Sequence, residues 1–113
     1  MPYIDMTTSV SVSSRKEQII KEKMGRAIEL IPGKTENWLM INFHDHAAMY
    51  FNGSDEPCAI LEVKVFGAAQ EEAYNALTEA LTDILREELD IPPERVYVTF
   101  HEVSIWGWNG GLF

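Results

Sequence analysis

Pro2 is the residue whose chemistry stands out first. Once Met1 is removed, Pro2 becomes a free secondary amine, the one coded N-terminus whose nitrogen sits in a ring with its lone pair fixed in direction. An α-amino group ordinarily titrates at about 7.7–8.0, and an apolar pocket poor in water disfavours its charged form. Such a nitrogen can act as a base near neutral pH. With Met1 retained, the same nitrogen is a tertiary amide with no basic lone pair, so the expectation is a cellular protein that starts at Pro2. Three other groups invite a chemical reading. His44 and His46 are alternate residues that face one way on a strand, and His101 could add a third ligand, but no spacing demands a metal and none is assigned. Cys58 is the sole cysteine, so it has neither a disulfide partner nor a resolving thiol in the chain. Gly107 to Gly111 does not follow a strand and open a helix, as a phosphate loop must. No cofactor is expected.

The elements that must position these groups come from a chain of 113 residues, one domain's worth, taken as a single domain over residues 1–113. Apolar residues make up 46% and charged residues 24%, the balance of a folded globular protein. A net charge of -9 sets the surface field against phosphates and anionic membrane, so no nucleic-acid or membrane partner is expected. The start has neither the basic residues nor the apolar run of a signal peptide, and no window reaches spanning length. The cytoplasm is the expected compartment, with export without a signal peptide as the alternative.

Pro2 to Met6 alternates and predicts an opening strand, followed by a polar loop. Ser14 with Glu17 fits a capping box and predicts a helix from about Arg15. Ile20, Met24, Ala27, Ile28 and Ile31 then mark one apolar stripe that Pro32-Gly33 ends. Trp38 to Phe43 reads as a strand, and Asn52-Gly53 carries the turn signal that usually links antiparallel strands. The order then repeats. Cys58 to Phe66 reads as a strand, Gln70 to Leu89 as a helix burying Ala73, Leu77, Ala80, Leu81 and Ile84, Pro92-Pro93 as its stop, and Val96 to Phe100 as a strand. Two β-α-β units of this connection length predict two parallel strand pairs in one four-stranded mixed sheet, an α+β fold with both helices on one face. The strands carry apolar residues toward both faces, Leu39, Ile41 and Phe43 opposing Trp38 and Met40, so a second copy is expected to cover the bare face. The aromatic, glycine-rich tail from Ser104 to Phe113 suits a lid, a contact to a neighbour, or packing on its own core.

Four separated blocks carry a family resemblance: Met-Pro-x-Ile at the start, Gly53-Ser-Asp-Glu-Pro-Cys-Ala59, Ile91-Pro-Pro-Glu-Arg-Val-Tyr-Val98, and Gly107-Trp-Asn109. The chain resembles the macrophage migration inhibitory factor and D-dopachrome tautomerase family, in order over nearly its whole length. The resemblance implies a homotrimer of β-α-β repeats, with keto–enol tautomerase activity toward phenylpyruvate-like substrates at sites between subunits. Pro2 matches the family's catalytic base. Lys34 matches its lysine for the substrate carboxylate, and Phe66 falls where a backbone N–H binds the same group. Tyr97 matches its pocket tyrosine, suited to stabilising charge on the substrate oxygen. Thr99 stands where close relatives have asparagine, a departure that bears on rate or substrate preference. Trp106 and Phe113 are expected as apolar walls for a small aromatic keto acid. A cytokine-like signalling protein with a relic pocket and a receptor as partner is the alternative. Dehalogenation or decarboxylation of small acids is the lesser enzyme expectation, because the second helix begins Ala68-Ala-Gln-Glu-Glu72 without arginine.

Overall fold

The computed structural model describes residues 1–113. Its strands are β1 (Pro2–Thr8), β2 (Met40–His44), β3 (Ala59–Phe66), β4 (Val96–Val103), β5 (Gly107–Trp108) and β6 (Gly111–Leu112), with helices α1 (Ser14–Ala27) and α2 (Glu71–Leu89). The main sheet has the order β2-β1-β3-β4. β1 pairs in parallel with β2, β3 in parallel with β4, and the two pairs meet antiparallel along β1 and β3. This is the predicted mixed sheet of two β-α-β units.

Both helices cover one face because their apolar stripes have nowhere else to be buried. Ile20, Met24 and Ile28 from the first unit meet Leu77, Leu81, Ile84 and Leu85 from the second, over Ile4, Met6, Leu61, Val63 and Val65 of the sheet. Lys16 and Lys23 clamp the helices side by side through Glu88, at 3.0 and 2.6 Å. No helix is long and apolar enough to cross a membrane.

Several local expectations are corrected. Ser13, not Ser14, caps α1: its backbone is extended and its hydroxyl accepts from the Lys16 amide at 3.2 Å, so no Ser-x-x-Glu box closes. α1 ends at Ala27 and tightens into a 3-10 turn over Ile28–Leu30, so Ile31 is buried from beyond the helix. α2 is stopped before its prolines, by Asp90 in the left-handed conformation at φ 55° with Ile91 donating back to the Leu85 carbonyl. Trp38 belongs to a 3-10 turn over Glu36–Trp38 and not to β2. Asn52-Gly53 does form a tight turn, closing a bridge between Phe51 and Ser54, but the strands on either side of it, β2 and β3, are not neighbours in the sheet. The bare face is also more polar than expected. Leu39, Ile41 and Phe43 turn toward the helices, while the outer face mixes the apolar Met40, Ile60 and Tyr97 with Tyr3, Asp5, Asn42, His44, Glu62, Lys64, Thr99 and His101.

Candidate functional site

Three segments converge at the start of β1. The first is β1 itself, whose Pro2 is paired opposite Val65. The second is the turn that delivers Lys34. There the Lys34 amide donates to the Ile31 carbonyl at 3.1 Å across Pro32 and Gly33, and Gly33 has φ 81°. Proline second and a positive-φ glycine third are the residues a type II turn requires. The turn aims the Lys34 ammonium at the Phe66 carbonyl, 2.8 Å away. The third segment is the end of β3, where the Phe66 amide donates to the Met1 carbonyl at 3.0 Å.

The chain's first amine therefore lies against Lys34. Burial first, and then the charge and hydrogen bonding of the Lys34 ammonium, push the Met1 amine below its ordinary value of 8.0. Met1 also occupies the Phe66 N–H, the donor expected for a substrate carboxylate.

A cavity of about 730 Å³ opens beside Pro2, and its walls are largely apolar. Trp38, Met40, Trp106 and Trp108 line it, together with Tyr3 and Lys64. The tail builds much of this wall. Asn109 and Gly110 both take positive φ, which closes a two-residue turn between β5 and β6 and folds the tail back on its own chain. The Phe113 amide then donates to the Trp106 carbonyl at 2.8 Å. The rings interlock edge to face: Trp38 with Trp108 at 5.0 Å, Phe66 with Phe113 at 5.4 Å, and Phe66 with Trp106 at 6.5 Å. Trp38, Trp108 and Lys64 are cavity residues that the sequence did not single out. Trp108 sits inside the Gly107-Trp-Asn109 block, a usable signal, whereas the sequence pattern places Trp38 in a strand.

Pro2, Lys34, Phe66, Trp106 and Phe113 are thus gathered at one end of the molecule. Tyr97 and Thr99 are not. Tyr97 is opposite Ile60, five residues along β3 from the Val65 that faces Pro2, or about 16 Å. Tyr97 is exposed and leans edge-on against Phe51 at 5.1 Å. Arg95 fixes that end, donating from Nε to the Pro57 carbonyl and from its terminal nitrogens to those of Phe51, Ser54 and Glu56, all at 2.9–3.0 Å.

The histidines diverge. His44 Nε2 approaches Asp5 Oδ1 at 3.1 Å and Asn42 at 2.8 Å, His46 meets the Ser11 hydroxyl at 3.2 Å, and His101 meets Thr99 at 3.4 Å. No cluster of three or more His, Cys, Asp or Glu is arranged to hold a metal ion. Cys58 is buried beside Ser9, whose hydroxyl accepts from its amide at 3.1 Å.

A mixed sheet of this order, two helices on one face and a proline base candidate beside a lysine define a recognisable class of small α+β protein. The chain belongs to the macrophage migration inhibitory factor (MIF) family, whose profile matches residues 1–113. It is 31% identical to the macrophage migration inhibitory factor homolog of Brugia malayi, over all of this chain and 99% of that one. Among solved structures it is similar to MIF2 of Leishmania major, at 29% identity and a TM-score of 0.94, covering 100% of this chain and 97% of that one. A homologue from Prochlorococcus marinus follows at 30% identity and a TM-score of 0.89, with 98% of each chain covered.

Proposed function

We propose that the protein is a keto–enol tautomerase for phenylpyruvate-like 2-oxo acids, acting as a homotrimer once Met1 has been removed. The observation that carries this is the environment of the first amine: burial and the Lys34 ammonium already push it toward its neutral form. The Pro2 nitrogen, exposed by loss of Met1 one residue further in, meets the same two influences. Its lone pair takes a proton from the carbon beside the ketone, and the C–H electrons become the C=C bond. The carbonyl electrons move onto oxygen, which then takes up the proton to give the enol. No atom is gained or lost. Lys34 and the freed Phe66 N–H hold the substrate carboxylate, and the indole walls hold the aromatic ring.

Tyr97 and Thr99 serve this chemistry only from a second copy of the chain, because their β3 partners Ile60 and Glu62 stand five and three residues, about 16 and 10 Å, along the strand from the Val65 opposite Pro2. Sites shared between subunits satisfy that requirement. Threonine offers a shorter donor than the asparagine of close relatives.

The test is enolisation of phenylpyruvate by Met1-free protein against Pro2→Gly. Proton transfer by a positioned group is worth about 10²–10⁴-fold, so turnover should fall by that factor while sedimentation still shows the trimer. Wild-type turnover in Pro2→Gly would remove proline as the base.

A further inference from the structure

We propose that Lys64 makes the cavity beside Pro2 a two-cation site, suited to 2-oxo acids that carry a second negative group at the far end of an apolar or aromatic body. The proposal rests on the tautomerase function above and names the substrate class more narrowly. Lys64 stands on the outer face of β3, directly opposite Tyr3 and one residue from the Val65 that pairs with Pro2. Its ammonium lies over the Tyr3 ring at 5.9 Å from the centroid and lines the cavity with Trp38, Met40, Trp106 and Trp108.

What distinguishes Lys64 is that it is the lysine lining this cavity and makes no ion pair. Lys16 and Lys23 are held by Glu87 and Glu88, and Lys34 by the Phe66 carbonyl. Lys64 has a ring beneath it but no carboxylate, although Glu62 shares its face two residues away and His101 is its neighbour on β4. An ammonium held against an aromatic face and apolar walls keeps a stronger pull on an incoming anion than one in open water. Lys34 and the Phe66 amide do not line the cavity themselves but contact Met1, which does, so loss of Met1 leaves them at its Pro2 side and a ligand anchored there extends across the indoles toward Lys64. A singly charged acid leaves this second cation unused, and a dianion engages both. The chain's net charge of -9 repels dianions at long range, so a preference for them must come from local cations.

The test uses Met1-free full-length protein and two unreactive probes, cinnamate and 4-carboxycinnamate, titrated calorimetrically. The dicarboxylate should bind at least about tenfold more tightly at low salt. That advantage should shrink in about 1 M salt, where the screening length falls to about 3 Å. Lys64→Met should abolish it and Lys64→Arg should retain it. Equal affinity of the two acids for the wild type, or an undiminished preference in Lys64→Met, overturns the proposal. Phenylpyruvate turnover separates the two claims. Turnover without the dicarboxylate preference sinks the role of Lys64 alone, and Lys64-dependent preference without turnover sinks the tautomerase function alone.

Discussion

The two ends of the sheet treat their cations in opposite ways. At the Tyr97 end the Arg95 guanidinium is almost buried and spends its donors on four backbone carbonyls, with the Phe51 ring 5.3 Å from its centre. At the Pro2 end Lys34 makes one hydrogen bond to a carbonyl beside the first amine and Lys64 rests on a ring beside an open cavity. A saturated cation is a structural pin, whereas an unsaturated one beside an apolar hollow is available to a ligand. The chain therefore offers a rigid mount for the Tyr97 hydroxyl at one end and a receptive pocket at the other, and in the proposed oligomer a complete site would join opposite ends of different copies.

The largest effect should come from breaking the pin. Arg95→Met leaves the carbonyls of Glu56 and Pro57 without a donor, while those of Phe51 and Ser54 keep only the backbone bonds they exchange, and each unpaired buried polar group costs about 1–3 kcal/mol. Partial access of water to the loop limits the total to on the order of 3 kcal/mol, read as a lower urea midpoint. Binding of a monocarboxylate at the Pro2 end should change far less than stability does. Equal loss of both would mean that the two ends are not independent.

Lys34→Met tests the receptive end. Loss of a charged hydrogen bond to the substrate carboxylate is worth about 2 kcal/mol, so KM for phenylpyruvate should rise about thirtyfold. The pH profile should move as well. Lys34 helps to depress the first amine, so its removal raises that pKa, and the acidic limb of kcat/KM shifts to higher pH. A KM change without the pH shift would keep Lys34 as an anchor but deny it any influence on the base.

The same contrast explains what the sequence could and could not reveal. The helix stripes and the parallel pairs were legible because they rest on spacing within some twenty residues, and Ile20, Met24, Leu77 and Leu81 are all fully buried as expected. The choice of Ser13 over Ser14 as cap was not legible, because it turns on which of two adjacent serines takes the extended backbone. The cavity was hidden for a different reason: Trp38 and Trp108 meet only after the tail folds back, and no local pattern encodes a contact across seventy residues. Yet the cause of that fold was in plain view. Asn109-Gly110 is the same dipeptide as Asn52-Gly53, which was read as a turn, and it closes the β5–β6 hairpin. Tyr97 raised a third kind of obstacle. Within its own chain it lies far from Pro2, so only the family resemblance assigns it a role.

These twin turns give a smaller and more local comparison. Gly53 and Gly110 have φ of 73° and 82°, with nothing within 4 Å of an added Cβ. Alanine at either position therefore costs conformational strain alone, about 1 kcal/mol. Gly53→Ala should show only that loss in a denaturation curve. Gly110→Ala should show it together with weaker binding of an aromatic acid, because the hairpin carries Trp108 to the cavity wall. Identical binding by both variants would mean that the tail does not shape the pocket.

The smallest effect belongs to the helix clamp, which lies on neither end of the sheet and serves as the reference. Hydrogen bonds from Lys23 and then Lys16 hold the Glu88 carboxyl below its ordinary value of 4.5, and those that Lys23 donates to Glu88 and Glu87 hold it above 10.5. A depressed carboxyl stabilises the folded chain above its unfolded pKa, and this contribution is lost as pH falls through the folded value. A raised lysine contributes below 10.5 and loses that contribution as pH climbs through its folded value. Glu88→Gln should thus unfold slightly more easily than the wild type at pH 7, and the two curves should converge in acid, once pH has fallen below the lowered value of the wild-type carboxyl. Phenylpyruvate turnover should be unchanged, since neither helix partner touches the cavity. A stability gap that persists in acid would assign Glu88 a packing role in place of a charged one.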